Sequence, residues 1–192
     1  MEMREEKETI KIRTAKLQDA KRLLEIYAPY VTQTAITFEN DVPTVEEFTA
    51  RMACVLEKYP YLVAEQDGSP VGYAYAGTFK NRAAYDWAVE TSIYVRQDKK
   101  RAGIGSRLYE ALETALKAQG ILNLNACIAY AVIEDAYLTN DSVRYHEKCG
   151  YKQVAHFHQC GYKFGHWYDM VWMEKLIGEH TANPPQVKPY GL

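Results

Sequence analysis

The stretch "DKKRAGIG" (98–105) decides how this chain is read. Three basic side chains run into two glycines, and an amphipathic helical pattern begins at once behind them. A helix start exposes four backbone N–H groups and about +0.5 of a charge from the macrodipole. Gly103 and Gly105 lack a Cβ, so a ligand can come close to the backbone there. Arg96, Lys99, Lys100 and Arg101 add positive charge around the same turn. A diphosphate suits such a place, and a solvated turn has the same composition. The stretch is not a Walker loop, because no Gly-Lys-Ser/Thr follows. Nor is it the G-x-G-x-x-G dinucleotide fingerprint, because Leu108 stands where the third glycine belongs.

Outward from this turn the patterns alternate between periods. Ile104 to Gln119 is helical, with Leu108, Ala111, Leu112, Ala115 and Leu116 on one stripe and Gly120 as the C′ residue. Strands flank it: "WAVETSIYV" (87–95) before and "ILNLNACIAY" (121–130) after. Upstream, "TIKIRTA" (9–15) alternates as a first strand, and Asp19 can N-cap a helix carrying Leu23, Leu24, Ile26, Tyr27 and Tyr30. Thr44 and Glu47 make a capping box ahead of Phe48, Met52, Val55 and Leu56. "YLVAEQ" (61–66) and "VGYAYAGTF" (71–79) flank an Asp-Gly turn and read as a hairpin. Downstream, a short helix from Ser142 to Cys149 closes at Gly150, and "QVAHFHQCGYK" and "HWYDMVWMEK" are two more strands. The order over residues 1–176 is mixed α+β, not a strict βαβ repeat. Residues 177–192 form a Pro-rich tail that continues neither strand nor helix.

Composition narrows the classes. The chain has 192 residues, 47% of them hydrophobic, which suits one globular domain. A net charge of −2 gives no global field for nucleic acid or an acidic membrane. The opening "MEMREEKETI" is acidic and lacks the apolar core of a signal peptide. No apolar run approaches the ~20 residues of a membrane span. Cys54, Cys127, Cys149 and Cys160 form no C-x-x-C pair, so free thiols and a cytoplasmic location are expected. His156 and His158 would share one strand face, but the pattern offers no Cys or carboxylate to complete a ligand set, and no metal is assigned.

The strand ending at Val95, the basic turn, "RAGIG" and the helix together resemble the acetyl-coenzyme A loop of the GNAT N-acetyltransferase superfamily. Lys100 takes the first position of that motif, where the superfamily has Gln or Arg. "NDSVRYHEKCGY" (140–151) resembles the superfamily's later helix, with His146 where Tyr is frequent. "KYPYLVAE", "AYDWAVE", "VRYHEKCGY" and "CGYKFGHWYDMVWM" resemble the phosphinothricin N-acetyltransferase family in particular, over roughly residues 10–175. The stretch "IAYAVIEDAYLTNDS" (128–142) is longer than that family's usual turn.

The resemblance implies an α+β GNAT fold, a single mixed central β-sheet with helices on both faces, and an acetyl-CoA cosubstrate held by Ile93, Tyr94, Val95, Lys100, Arg101, Ala102, Gly103, Ile104, Gly105, Ser106, Asn140 and Ser142. It implies acetyl transfer to the α-amine of a small amino acid of phosphinothricin or methionine sulfoximine type, and a homodimer. Glu90 lies in an otherwise apolar strand, as a satisfied structural carboxylate or a general base whose pKa burial would raise; the resemblance makes it the base. It makes His146, otherwise readable as a packed core histidine, the catalytic partner. Lys80 and Arg82 read either as solvated loop charges or as the grip on an anionic acceptor, with Phe38, Tyr85 and Tyr94 lining its pocket. Another small amine as acceptor, or a catalytically weak acetyl-CoA sensor, are the alternatives. The sensor reading would be marked by loss of Glu90 or His146, and both are present.

Overall fold

A computed structural model describes residues 10–191. The acidic opening stretch and Thr9, first residue of the expected leading strand, lie outside the described residues. Seven strands form one sheet: β1 (Lys11–Thr14), β2 (Tyr61–Gln66), β3 (Ser69–Thr78), β4 (Ala88–Val95), β5 (Asn123–Tyr130), β6 (Lys152–Lys163) and β7 (His166–Leu176). Four α-helices accompany them: α1 (Ala20–Gln33), α2 (Val45–Leu56), α3 (Ile104–Gln119) and α4 (Asp141–Lys148). The order across the sheet is β1-β2-β3-β4-β5-β7-β6. The β4–β5 pairing is parallel and the others antiparallel, so the sheet is mixed as expected.

Local chemistry explains the elements. Asp67 and Gly68 both take positive φ (51° and 74°), the backbone a two-residue hairpin between β2 and β3 needs. Thr44 Oγ1 accepts from the Glu47 N–H (3.1 Å) and Glu47 Oε2 accepts from the Thr44 N–H (2.8 Å), closing the capping box of α2. Asp19 does not cap α1 with its side chain. Arg13 holds that carboxylate through two bonds (2.7 and 2.9 Å), and the Lys16 N–H donates to it as well.

Helices cover both faces. On one, Leu108, Leu112 and Leu116 of α3 are buried against Ala74, Ala76, Val89, Val171 and Met173. On the other, Leu23, Tyr27 and Tyr30 of α1 and Phe48 and Met52 of α2 pack on Val63 and Tyr73. The tail docks on the body of its own chain. Trp87 Nε1 donates to Pro185 O (2.8 Å), Lys188 and Gln119 exchange bonds, and Tyr190 reaches Lys58 O and the Thr14 hydroxyl. Val187 and Tyr190 join the α3-side core. What reads in sequence as a trailing segment is therefore part of the packed unit.

One feature of the sheet positions the site. β4 and β5 pair at just three positions, Ala88–Asn123, Val89–Leu124 and Glu90–Asn125, and then part. Both strands run on for about five more residues, each paired on its outer side only.

Candidate active site

The parted strands leave a cleft. Thr91, Ser92, Ile93 and Tyr94 form one wall, and Ala126, Cys127, Ile128 and Ala129 the other. Tyr109, Ser142 and His146 line it from the α3–α4 side, and Ile36 and Leu138 from the opposite side. Backbone alternation fixes what the first wall presents. The Arg96 N–H donates to Val71 O on β3 (2.9 Å), whereas Val89 O accepts from Asn125 Nδ2 on β5 (3.2 Å). The backbone groups of Thr91, Ile93 and Val95 therefore face the cleft. The Val95 carbonyl is taken by the Tyr30 hydroxyl, while those of Thr91 and Ile93 open into the gap where a strand partner would otherwise sit.

The cleft runs toward the turn before α3. Gly103 is the N-cap residue, in the left-handed region (φ 75°, ψ 1°), and no side chain caps the helix there. A Cβ on Gly103 would meet nothing within 4 Å, so this residue leaves the helix start bare. Gly105 serves otherwise: a Cβ there would come within 3.0 Å of the Tyr145 hydroxyl, so its missing side chain makes room for α4 rather than for a ligand. Arg101 also takes a positive φ (66°) and is exposed. The expected ring of charge is thinner than the sequence suggests. Arg96 is paired with Asp98 (2.6 Å), and Lys100 lies over the Tyr30 ring (5.0 Å) with its pKa lowered by burial. Asn140 turns both ends of its amide onto Ala131, accepting from its N–H (3.0 Å) and donating to its carbonyl (2.9 Å). It clamps the long turn instead of facing the cleft. Ser142 does line the cleft.

Glu90 stands at the fork, the last residue of β4 paired to β5. It is half-buried, and its pKa is raised by desolvation, with the charge of Lys80 opposing. Its carboxylate has no hydrogen-bond partner among the described residues, which separates it from a structurally satisfied group. Tyr75, bonded to Ser92, and Cys127 both feel its charge, and burial pushes the Cys127 thiol up to about 11. His146 is differently placed. It is buried, its Nδ1 donates to Ser142 O (2.7 Å), and its Nε2 accepts from the Tyr109 hydroxyl (2.9 Å). Burial lowers its pKa to about 4, so the ring is neutral at physiological pH. A neutral ring with both nitrogens engaged is no proton donor of its own; Tyr109 is the hydroxyl it positions in the cleft.

The expected acceptor residues divide between two places. Phe38 lies against Gly161, where any Cβ would strike its ring, and stacks on Tyr168. Tyr94 packs edge-on to Tyr27 and Tyr30 (4.9 and 5.3 Å) and lines the cleft. Lys80 and Tyr85 line a separate cavity of about 650 Å³ with Phe79, Trp87 and Trp172, although the Lys80 charge still reaches Glu90. Arg82 is exposed on the intervening loop. Sequence reading missed Lys163, a buried lysine donating to Thr37 O (2.8 Å) with its pKa lowered by burial. It missed Tyr109, hidden within the apolar face of α3, and Leu138, buried in the long turn. That turn is pinned down: Asp135 accepts from the N–H groups of Tyr137 and Leu138 and from the Tyr168 hydroxyl. The Ala35 N–H bonds Tyr137 O (3.0 Å), so the turn closes over one end of the cleft.

Residues 12–172 match the acetyltransferase (GNAT) domain family. A phosphinothricin N-acetyltransferase of Streptomyces viridochromogenes is 35% identical over 188 residues, covering 97% of this chain and 98% of the relative. An L-methionine sulfoximine/L-methionine sulfone acetyltransferase of Salmonella typhimurium is 30% identical over 173 residues, covering 89% and 96%. Among solved structures, a GNAT superfamily phosphinothricin acetyltransferase from Sinorhizobium meliloti in complex with AcCoA superposes with a TM-score of 0.84 at 31% identity, covering 95% of this chain and 96% of that one. The match over most of the chain and the relatives at 30% identity or more show that the chain belongs to the GNAT acetyltransferase family.

Proposed function

We propose that this protein moves an acetyl group from acetyl-CoA to the α-amine of a small amino acid with a tetrahedral, anionic or sulfone-like side-chain end. The observation that carries the reading is Glu90, an unpartnered carboxylate where β4 and β5 part. The backbone N–H groups of Arg101 to Gly105 suit a pyrophosphate, with Gly103 leaving the approach open. The cleft-facing amide of Ile93 is in position to donate to the thioester oxygen as charge develops on it.

Glu90 takes the proton from the substrate ammonium, directly or through a water, and its raised pKa brings it closer to that task at neutral pH. The amine then attacks the carbonyl carbon, the C–S bond breaks, and the departing thiolate needs a proton. That proton comes from solvent: the Tyr109 hydroxyl proton is engaged by His146 Nε2 and burial raises the Tyr109 pKa, so the Tyr109–His146 pair shapes this end of the cleft. Lys80 sits within reach of Glu90's field, and Lys80 and Arg82 are assigned to the anionic end of the acceptor. Relatives named for phosphinothricin and for methionine sulfoximine and sulfone support that substrate class.

We assign a homodimer, and the β6–β7 half offers exposed apolar side chains for it in Val154, Phe157, Tyr162 and Trp167. The four cysteines are free, which suits the cytoplasm. No helix among the described residues is long and apolar enough to cross a membrane. An acceptor panel with acetyl-CoA, followed by thiol release, tests the assignment. Turnover of phosphinothricin or methionine sulfone is expected. Turnover confined to polyamines or peptide N-termini would overturn the substrate class and leave the GNAT chemistry standing.

A further inference from the structure

The fold supplies what the His156–His158 pair lacks in sequence. β7 runs beside β6, and Asp169 brings its carboxylate to both imidazoles. His156 Nε2 donates to Asp169 Oδ2 at 2.7 Å, and His158 Nδ1 donates to the same oxygen at 3.2 Å. The three candidate ligand atoms lie within 4.8 Å of one another. We propose that His156, His158 and Asp169 form a binding site for a Zn²⁺-class divalent cation, independent of the acetyl-transfer cleft.

Three features favour a metal over a plain hydrogen-bonded trio. First, the donor set is two imidazoles and one carboxylate, which zinc takes with ligand bonds of ~2.0–2.2 Å. Tetrahedral ligands at that length stand about 3.4 Å apart, so the observed separations call for sub-ångström to ångström movements of side chains. Second, Asp169 is already oriented. Its Oδ1 accepts the Gln159 N–H (2.7 Å) where β6 bulges, leaving Oδ2 directed at the imidazoles. Tyr130 packs edge-on against His156 (5.1 Å) and fixes that ring. Such outer contacts hold ligands in place at metal sites. Third, a fourth position is open. His158 and Asp169 line a cavity of about 430 Å³ between the hairpin and the long turn, so water or a further ligand can complete the shell.

Binding changes protonation simply. On binding, the proton on each nitrogen that now donates to Asp169 moves through solvent to the other nitrogen of the same ring, which frees the lone pair for the cation and leaves each imidazole neutral. The carboxylate remains ionised, and no oxidant or reductant is involved. The metal would tie the β6 bulge to β7.

The test uses the full-length, untagged protein, stripped with chelator and titrated with Co²⁺ as a spectroscopic stand-in for Zn²⁺. One Co²⁺ per chain is expected, with visible ligand-field absorption that Zn²⁺ abolishes by displacement. Loss of an outer contact alone costs ~10–100-fold in affinity, so His158→Ala, which deletes a ligand, should weaken binding by about 100-fold or more. Its side chain is 75% exposed, so the fold should survive. Cys160→Ser, on the same strand, should leave binding unchanged. Absence of Co²⁺ and Zn²⁺ uptake would overturn the site. So would uptake that His158→Ala and His156→Ala leave intact, or that Cys160→Ser removes.

Discussion

Replacing Glu90 with Gln tests the chemistry most directly, because it keeps the shape and removes the charge. Loss of a positioned general base typically costs ~10²–10⁴ in rate, or about 2.7–5.4 kcal/mol of barrier at 1.36 kcal/mol per tenfold. The structure adds a second expectation of opposite sign. Desolvation raises this carboxyl above its ordinary 4.5. A raised acid pKa means that the folded state holds the proton longer than the unfolded chain. Stability present below 4.5 is then partly lost as pH climbs through the raised value. Gln at this position escapes that loss, so Glu90→Gln should melt no lower than the parent at neutral pH while turning over far more slowly. The parent's kcat/KM should fall as the pH drops through the raised pKa, and the variant's profile should be flat there. Thiol release under saturating acetyl-CoA, with melting curves on the same samples, reads both. Near-normal kcat at neutral pH, or a fall in melting temperature matching the fall in rate, would refute the assignment.

The other predictions concern the cosubstrate turn, the acceptor and acid stability. Gly103→Val should raise the KM for acetyl-CoA strongly, because a branched side chain resists φ 75° and covers the bare backbone; steady-state kinetics at fixed acceptor checks this. Gly105→Ala should instead destabilise α4, by about 1–3 kcal/mol, through its clash with Tyr145, seen in denaturant melts. Arg82→Ala should raise the acceptor KM by roughly 10–100-fold with kcat little changed, as expected for one lost charged hydrogen bond. His146, buried and neutral with a pKa of about 4, should make the protein lose about 3 kcal/mol as pH falls from 7 to 4, because the unfolded ring protonates near 6.5. Denaturant melts of His146→Gln should lose that part of the acid slope.

Most of the architecture was legible because it rests on local signals. The Asp67-Gly68 turn, the Thr44–Glu47 box and the α3 stripe each depend on neighbours a few residues apart, and each recurs in the structure as read. Asp19 misled because a distant partner, Arg13 on β1, outcompeted the helix end for its carboxylate. Gly103 and Gly105 look equivalent in sequence, yet Tyr145, forty residues on, gives Gly105 a packing role. Glu90 was conspicuous as a charge among apolar residues. Its position at the fork was not, since where two parallel strands separate depends on the whole sheet. Lys163, Tyr109 and Asp169 escaped for the same reason: their partners Thr37, His146 and the β6 histidines are brought near by tertiary structure alone.

The short β4–β5 pairing has a mechanical consequence. Three residue pairs and the helices spanning them are the seam between a four-stranded and a three-stranded half of the sheet. The amide proton of Ile93, past the last β4–β5 pair, should exchange with solvent faster than those of Ser92 and Tyr94, which face β3. A ligand whose own amides lie along the seam acts as a temporary eighth strand. It rivets the halves together, and the whole chain gains cooperativity: at a hundred times its Kd, such a ligand adds about 2.7 kcal/mol to unfolding. Acetyl-CoA levels would then set how long the enzyme lasts as well as how fast it works.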